Sequence, residues 1–431
     1  MKSIWNDAKR HNFDTLKGDT KTEVLIIGGG LCGILCAYML KEAGVDCILV
    51  EADKICAGIT NGTTAKITFQ HGFIYDKITK KYGVEKARLY YESQKNAFDK
   101  LVKLTSNEDC DLEVCDSFVY SLKNREIIER EVEALNRIGC DAQFCTATEL
   151  PFDVAGAVKI ENQAHFQPLK FAYSIAKELK IYENTKVLEL KPNMAITNRG
   201  RIFAKKIIVA THFPFINKHG SYFIKMYQHR SYVLALENTV ELKGMYVDEG
   251  KKGLSFRTYK DLLLLGGGSH RTASKGGCWA ELEEFAKKYY PKSREVGRWA
   301  TQDCMTLDSI PYIGQYSKST PNLYVATGFN KWGMTSSMVS AMILSDLVCG
   351  RKSQYEDLYS PSRSMLHPQL AVNMFESAKG LLTLTAPRCP HLGCALKYNK
   401  NEHSWDCPCH GSRFDEDGKL INNPATDDKK F

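Results

Sequence analysis

The sequence predicts an α/β chain, α+β overall, that begins with a dinucleotide-binding domain and ends with a small cysteine-rich domain. Two observations carry this prediction. A glycine-rich turn separates an apolar strand from a helix within residues 22–51. Four of the 15 cysteines crowd between residues 389 and 409, whereas the others are scattered through the rest of the chain.

The composition is that of an ordinary globular protein large enough for two or three domains. The chain has 431 residues, of which 43% are hydrophobic and 25% charged. The net charge of +8 contains no block of basic residues, so no nucleic-acid partner is expected. The N-terminus lacks the apolar region of a signal peptide, and the scattered cysteines are typical of reduced thiols; we therefore expect a cytoplasmic protein. The most apolar stretch, residues 24–40, contains four glycines and predicts no integral membrane segment.

The elements follow from local patterns along the chain. Residues 22–27, 34–44 and 45–51 read as strand, helix and strand, a βαβ unit that predicts a parallel sheet. Gly44 is placed to end the helix. Further helices are predicted at residues 84–106, 125–138, 168–180 and 336–350, and further strands at residues 201–212, 262–270 and 322–329. A polar linker is predicted at residues 351–375, and no internal repeat is found.

The first strand and helix are joined by the pattern G-x-G-x-x-G. Gly28, Gly30 and Gly33 let the backbone turn tightly and approach a pyrophosphate at the helix N-terminus. Glu51 ends the second strand, where a carboxylate can accept hydrogen bonds from a ribose diol. The alternative is a glycine turn that serves close packing alone. The motif by itself does not distinguish FAD from NAD.

Three longer stretches add to this motif: GITNGTTAKIT (58–68), the KKIIVATH strand, and the DSIPYIGQ and NLYVATGFNKWGM sequences within 308–334. They resemble the D-amino-acid oxidase type of FAD-dependent oxidoreductase, the family of glycine and sarcosine oxidases. The resemblance covers roughly residues 20–350. It implies a Rossmann-like FAD-binding domain interleaved with an antiparallel-sheet substrate domain. The FAD-binding segments are expected at about 20–80, 155–212 and 305–350, and the substrate segments at about 85–150 and 213–300.

The same resemblance implies a set of FAD contacts. Val187 is expected to bind the adenine through its backbone, and a helix N-terminus to stabilise charge on the reduced flavin. The contacts expected with the flavin and its chain come from Thr63, Thr64, Gly328, Phe329, Asn330, Lys331, Trp332, Gly333 and Met334. Some relatives attach the flavin through a histidine after GTT; Ala65 and Lys66 stand here, so FAD is expected to be non-covalent. Lys66 is expected near the flavin ring, tuning it, with a surface or ion-paired lysine as the alternative.

The substrate is where the sequence departs from the family pattern. Relatives that oxidise amino acids often carry a carboxylate-binding arginine shortly before the D-x-x-P-x-I-G stretch, but Gln302 and Asp303 stand there in this chain. An anionic site favours a cationic amine. Arg257 is a candidate substitute for the missing arginine, and a solvated or structurally paired arginine is the alternative. Four isolated histidines are interpreted as structural: His71, His165, His229 and His270.

The tail contains C-P-H-L-G-C from residue 389 and C-P-C-H-G-S from residue 407. Six ligand-type residues are two more than a tetrahedral zinc site needs, which disfavours zinc. The pattern resembles the Rieske [2Fe-2S] motif. The resemblance implies that one iron is held by Cys389 and Cys407, and the other by His391 and His410. Imidazole in place of thiolate raises the potential of such a cluster.

Other positions of the tail gain roles by the same resemblance. Cys394 and Cys409 are implied to form a disulfide, and Ser412 to donate a hydrogen bond to a cluster sulfide. Phe414 stands where relatives often have a tyrosine, which is expected to lower the potential. Pro424 resembles the proline loop that covers the cluster. Residues 376–431 are short for a Rieske domain, so the domain is expected to lean on the flavoprotein.

Together these motifs predict an FAD-dependent oxidoreductase. The expected substrate is a small amine or amino-acid-like molecule, and electrons are expected to pass from FAD through the cluster to an external acceptor. An alternative is an electron-transfer protein that a partner reduces, without an organic substrate of its own. A redox sensor based on Cys394 and Cys409 is a third hypothesis.

Overall fold

Two large sheets and one small sheet organise the computed structural model, which describes residues 3–106, 108–250, 253–383 and 386–430. A short 3-10 helix, Ile4–Asp7, precedes the first strand. The helices are α1 (Leu31–Glu42), α2 (Ile59–Gly62), α3 (Ile74–Tyr82), α4 (Val84–Thr105), α5 (Arg125–Arg137), α6 (Pro168–Ala176), α7 (Tyr222–Lys225), α8 (Cys278–Tyr289), α9 (Gly333–Val348), α10 (Glu356–Tyr359) and α11 (Pro368–Leu382).

The strands are short in the C-terminal domain and longer elsewhere. They are β1 (Thr20–Ile27), β2 (Cys47–Val50), β3 (Lys66–Ile67), β4 (Glu113–Ser121), β5 (Gln143–Cys145), β6 (Gly156–His165), β7 (Ile181–Tyr182), β8 (Val187–Lys191), β9 (Met194–Thr197), β10 (Gly200–Val209), β11 (Met226–Glu237), β12 (Met245–Asp248), β13 (Ser255–Tyr259), β14 (Leu262–Arg271), β15 (Arg294–Thr306), β16 (Tyr312–Gln315), β17 (Leu323–Thr327), β18 (Lys397–Asn399), β19 (Ser404–Asp406), β20 (Arg413–Asp415) and β21 (Leu420–Asn422).

The first sheet has the order β16-β17-β10-β1-β2-β7, with β8 and β9 added beside β10. Strands β17, β10, β1, β2 and β7 run parallel, and β16 is antiparallel at the edge. The predicted βαβ unit is confirmed by β1, α1 and β2. Gly44 follows α1 with φ of 73°, as expected of a residue beyond a helix end.

Helices α1 and α9 pack against each other beside this sheet. Both helices are apolar around most of their circumference, and their side chains belong to one large core with β1. A helix that is apolar on all sides has to be buried, and this burial fixes where its N-terminus points. The N-termini of α1 and α9 both border the main cavity of the protein.

The second sheet has the order β15-β11-β14-β13-β12-β4-β6-β3, with β5 paired to β6. Its neighbours are antiparallel except for β4 and β12, which run parallel. Its strands come from two stretches of chain, one between β2 and β7 and one between β10 and β16. The chain therefore alternates between the two sheets, and the predicted α/β fold with an interleaved antiparallel sheet is confirmed.

The third sheet is small, antiparallel and formed by β18-β19-β20-β21. This confirms the expected small all-β domain at the C-terminal end. The stretch predicted as a linker contains α10 and the first half of α11, with Pro368 as the first residue of the latter. Within the described ranges, the structure has no helix long and apolar enough to span a bilayer.

Candidate functional site

The glycine turn after β1 is built for a close approach of backbone to backbone. Gly28 has φ of 110°, and a Cβ there would lie 2.6 Å from the Ala210 carbonyl oxygen. A Cβ at Gly33 would overlap the Gly28 carbonyl oxygen. A Cβ at Gly30, in contrast, would meet only the Thr60 hydroxyl, at 3.4 Å. Two of the glycines thus serve packing, and Gly30 keeps the space in front of α1 open.

This turn borders a cavity of about 900 Å³, near the upper end of the range of about 300–1,000 Å³ for ligand pockets. The structure brings together eleven of the predicted cofactor residues on its wall: Gly28, Gly30, Glu51, Thr63, Thr64, Val187, Phe329, Asn330, Trp332, Gly333 and Met334. Gly33 and Gly328 lie behind the wall. Lys331 also lines the cavity.

Glu51 holds the glycine turn from the end of β2. Its Oε2 accepts a hydrogen bond from the Gly29 N–H at 2.7 Å, and its Oε1 accepts one from the Asp53 N–H at 3.0 Å. Burial raises the pKa of Glu51. The carboxyl group also borders the cavity, which agrees with the expected role of this carboxylate as a ribose ligand.

The loop before α9 forms another part of the cavity wall. Asn330 and Lys331 are both left-handed, with φ of 51° and 73°. Asn330 fixes this turn: its Oδ1 accepts from the Thr306 N–H at 2.8 Å, and its Nδ2 donates to the Gly328 carbonyl at 2.6 Å. The Trp332 ring stacks on His71, with centroids 4.9 Å apart. The N-terminus of α9 therefore faces the cavity, where its N–H groups favour negative charge.

A glycine cradle, a large cavity and two helix N-termini are the features that an FAD site requires, so the residues present fit this cofactor. Sequence reasoning missed one contributor. The Thr60 hydroxyl accepts a hydrogen bond from the Leu31 N–H, at 3.1 Å, at the start of α1. Its place in GITNGTT was visible, but the spacing gave no indication that it would reach this helix.

Lys66 lines the cavity, with its Nζ 3.4 Å from the Thr64 hydroxyl. Burial, with the nearby Arg257, lowers the pKa of Lys66 to about 7. Arg257 itself lies behind the loop: its Nη1 donates to the Thr64 carbonyl at 2.6 Å and to the Ala65 carbonyl at 3.0 Å. Its guanidinium is fully buried and lies near the rings of Trp5 and Tyr259. This placement favours the structural alternative for Arg257.

The second sheet contributes polar side chains to the same cavity. Asp303 lines it, and burial raises the pKa of Asp303 to about 6. Gln302, the neighbouring candidate, points away and donates to the Gly411 carbonyl at 2.8 Å. The cavity wall contains five carboxyl groups and five lysines. They belong to Glu51, Asp53, Asp248, Glu249 and Asp303, and to Lys54, Lys66, Lys77, Lys186 and Lys331. Over the described part of the chain, no arginine reaches this wall.

Two of the four singled-out histidines, His71 and His229, line the cavity. Both ring nitrogens of His71 are engaged, Nδ1 with the Tyr90 hydroxyl at 2.7 Å and Nε2 with the Thr68 carbonyl at 3.0 Å. Burial lowers the pKa of His229 to about 3, so its ring is neutral. His165 and His270 lie outside the cavity wall. These positions give no indication of a catalytic base among them.

Two loops of the C-terminal domain bring four ligand-type side chains together. The Cys389 and Cys407 thiols are buried and lie within hydrogen-bonding reach of each other. The rings of His391 and His410 are 4.9 Å apart. Burial lowers the pKa of His391 to about 4 and that of His410 to about 3, so both imidazoles are neutral.

The ring nitrogens of these histidines show what the site can accept. Nδ1 of His391 and both ring nitrogens of His410 are buried without a hydrogen-bond partner among the described residues. Nε2 of His391 donates to Oδ1 of Asn217 at 2.9 Å, which fixes the ring. Two thiols and two imidazoles with unengaged nitrogens are the donor set of a Rieske [2Fe-2S] cluster, so the residues present fit it.

The surrounding positions complete this site. Cys394 and Cys409 are joined by a disulfide, with their Cα atoms 6.6 Å apart. The Ser412 hydroxyl accepts from the Ala425 N–H at 3.0 Å, which joins the second ligand loop to the loop containing Pro424. Phe414 is fully buried in the small core of this domain.

The C-terminal domain is attached to the second sheet by buried polar contacts. Nε2 of Gln228 donates to the His410 carbonyl at 2.7 Å and to the Asn423 carbonyl at 2.9 Å. Nδ2 of Asn423 donates to the Thr211 carbonyl at 2.6 Å, and both of these residues line the large cavity. Sequence reasoning missed Gln228 and Asn423, because nothing in their local patterns predicts a contact across domains.

A buried ion-pair network forms a second attachment. Glu402 contacts Arg230 of β11 and Arg413 of β20, the latter at 2.9 Å. Nε of Arg413 lies 2.8 Å from Asp406. The side chains of these four residues are at most 8% exposed. The network therefore joins the second sheet to the third through buried charges.

Comparison with known proteins places these features in families. The family model described as "FAD dependent oxidoreductase" (DAO) matches residues 23–347, and the Rieske [2Fe-2S] domain model matches residues 349–430. The chain is similar to the putative Rieske 2Fe-2S iron-sulfur protein YhfW of Bacillus subtilis, with 34% identity over 96% of this chain and 94% of that protein. The gamma-glutamylputrescine oxidoreductase of Escherichia coli is 24% identical over 80% of this chain and 87% of its own.

Among solved structures, glycine oxidase from Geobacillus kaustophilus superposes with a TM-score of 0.68. The match covers 80% of this chain and 99% of that chain, at 18% sequence identity. At this identity the likeness concerns the fold alone.

Proposed function

The chain belongs to the DAO family of FAD-dependent oxidoreductases and carries a C-terminal Rieske [2Fe-2S] domain, and we propose on this premise that it oxidises a cationic amine and sends the electrons through that domain to an external acceptor. The observation that carries the substrate class is the buried carboxyl group of Asp303 on the cavity wall. Asp303 stands where relatives that oxidise amino acids often carry a carboxylate-binding arginine, and no arginine of the described residues lines the cavity. The wall as a whole has as many lysines as carboxyl groups, so the local position of Asp303 decides: a carboxylate there attracts an ammonium group and repels a carboxylate.

Bound FAD supplies a two-electron acceptor, and the [2Fe-2S] cluster supplies a one-electron carrier. The chain positions the reactants. Asp303 is placed to hold the ammonium group and, with its raised pKa, to take up a proton at a carboxyl oxygen. The N-terminus of α9 favours negative charge at the cavity wall. The pKa of Lys66 is about 7, so its amino group can gain or lose a proton when the charge beside it changes.

The proposed route of electrons through the C-terminal domain is supported by the contacts that join the large cavity to the cluster site. Asn423 and Thr211 line the cavity, and Gln228 connects Asn423 to the carbonyl group of His410. The path from the cavity wall to a proposed cluster ligand thus consists of hydrogen bonds and short covalent segments. A relative whose name assigns it gamma-glutamylputrescine, an amine derivative, supports the same substrate class.

An anaerobic substrate panel tests this function directly. We expect primary and secondary amines to bleach the flavin absorption of the holoprotein, and the EPR signal of the reduced cluster to follow. Matching 2-hydroxy acids, which lack the ammonium group, are expected to leave both signals unchanged. Bleaching by NAD(P)H or by a partner protein alone, with no amine active, would contradict the proposal.

Replacing Asp303 by asparagine is expected to lower kcat/KM for amines by roughly 10- to 100-fold, the value of one charge-assisted hydrogen bond. In the native protein, kcat/KM should rise with pH through about 6, where Asp303 becomes charged, and this limb should be absent in the variant. The folded state disfavours the charged form of Asp303, so the variant should not unfold at a lower temperature. Asp99→Asn on the exposed face of α4 is the control and should leave both profiles unchanged.

A further inference from the structure

Helix α11 is amphipathic, but it exposes its apolar face to solvent, whereas most surface helices bury theirs. Asn373 and Gly380 are buried, whereas the apolar side chains on the other side are exposed. The exposed residues recur at i, i+3, i+4, i+7, i+10 and i+11, which is one face of a helix. We call them the apolar stripe: Ala371, Met374, Phe375, Ala378, Leu381 and Leu382. A surface helix normally turns such a face to the core.

The buried side of α11 is fixed by specific contacts, so the helix cannot turn its apolar face inward. Asn373 donates to the Ile224 carbonyl at 3.1 Å and accepts from Nη1 of Arg271 at 3.0 Å. A Cβ at Gly380 would lie 3.3 Å from Cβ of Cys394, so the helix lies directly on the disulfide. The Gly380 carbonyl also accepts from the Ala395 N–H at 2.9 Å.

Further exposed apolar side chains lie before and after α11 in the sequence. Leu366 before the helix is 86% exposed, and Leu392, between the ligand-type residues His391 and Cys394, is 39% exposed. Phe375 and Leu382 are 67% and 79% exposed. Seven of the sixteen exposed large apolar side chains in the described residues fall between residues 366 and 392. A concentration of this kind marks an interaction surface.

The charges around the stripe indicate its partner. Residues 364–401 contain four lysines and arginines, namely Lys379, Arg388, Lys397 and Lys400, and one acidic residue, Glu376. The side chains of the stripe offer no hydrogen-bond donor or acceptor, whereas protein interfaces carry about one hydrogen bond per 100–200 Å². Protruding apolar side chains in a basic surrounding are what an anionic lipid surface accepts.

We propose that the apolar stripe docks this protein on the surface of a membrane that contains anionic lipids, with α11 lying in the interface plane. The helix is a surface anchor and does not cross the bilayer. Docking in this way brings the C-terminal domain, on whose disulfide α11 lies, close to the membrane surface. The proposal concerns attachment and holds whatever substrate the cavity takes.

Sedimentation of the holoprotein with vesicles tests the proposal. We expect binding to vesicles of phosphatidylglycerol and phosphatidylcholine in equal amounts, and weaker binding to phosphatidylcholine alone or at high salt. The double variant Phe375→Ser, Leu382→Ser should lower the binding constant at least tenfold. The matched control, Phe203→Ser with Leu188→Ser, removes an exposed pair elsewhere and should bind as the native protein does.

Flavin absorption and the EPR spectrum of the cluster should be unchanged in both double variants, which shows that they are folded. Failure of the native protein to bind these vesicles would overturn the proposal. So would equal binding by the native protein and the Phe375, Leu382 variant. If the variant abolishes self-association in sedimentation equilibrium without affecting vesicles, the stripe is an interface between copies of the chain and the proposal is wrong.

Discussion

Replacing Glu402 by leucine is expected to destabilise the attachment of the C-terminal domain by about 3–5 kcal/mol, the range for a buried ion pair that loses one member. Glu402 accepts hydrogen bonds from Arg230, Arg413 and Tyr232. Its removal leaves the Arg230 guanidinium, 3% exposed, without a carboxylate partner in the described structure. We expect cluster absorption to be lost at a much lower urea concentration, while flavin absorption persists.

The control for this variant lies on the same domain. Glu416→Gln removes an exposed carboxylate that contacts Tyr398 and His403, and it should leave the urea midpoint for loss of cluster absorption close to that of the native protein. If the Glu402 variant loses flavin and cluster absorption at the same urea concentration, the C-terminal domain does not detach before the rest of the chain unfolds, and the prediction is wrong.

The same network predicts that the C-terminal domain is attached less stably at acid pH. Burial alone would raise the pKa of Glu402, but Arg230 and Arg413 more than offset it, so the pKa lies below its ordinary value. A carboxyl group whose pKa is lowered in the folded state stabilises that state above its unfolded pKa, about 4.3, and loses this contribution as the pH falls further. Attachment of the C-terminal domain should therefore weaken below about pH 4, and the leucine variant should lack this dependence.

Replacing Gly33 by alanine is expected to abolish FAD binding. The added Cβ would overlap the Gly28 carbonyl oxygen, and both residues are buried. Overpacking of this kind costs about 1–3 kcal/mol even where side chains can move, and here the obstacle is backbone. Because the turn has to shift, the protein should purify without flavin absorption and bind added FAD at least a hundredfold more weakly.

Gly44→Ala is the matched control, because a Cβ there meets nothing within 4 Å. Its φ of 73° makes the alanine cost about 1–2 kcal/mol, so the unfolding temperature should fall while FAD stays bound. Retention of FAD by the Gly33 variant would contradict the assignment of this turn to the cofactor. Both variants are measured by flavin absorption after gel filtration.

The features that sequence analysis predicted are those encoded within short stretches. The βαβ unit with Gly28, Gly30 and Gly33 occupies about thirty consecutive residues, and each of its parts has its own local pattern. The two ligand loops of the tail are equally local. The second sheet was expected only through a family resemblance, since its strands pair over long separations that local patterns do not encode.

Other features depend on contacts that become visible only after folding. The sequence makes Arg257 a candidate for substrate binding, whereas in the structure it donates to the Thr64 and Ala65 carbonyls from behind the cavity wall. The sequence pattern places Pro368 in a linker, yet it begins α11, because proline fits the first turn of a helix as well as a loop. The reverse orientation of that helix follows from Asn373 and Gly380, and no periodicity indicates which face they turn inward.

Gln228 and Gln302 both end on carbonyl groups of the second ligand loop, those of His410 and Gly411, and they also contact each other at 2.5 Å. Because both glutamines project from adjacent strands of one sheet, they tie that loop to a rigid surface. We therefore expect the C-terminal domain to stay in place on the second sheet. On the proposed electron route the acceptor has to diffuse to this domain, so solvent viscosity should affect that encounter and leave electron transfer between FAD and the cluster unchanged.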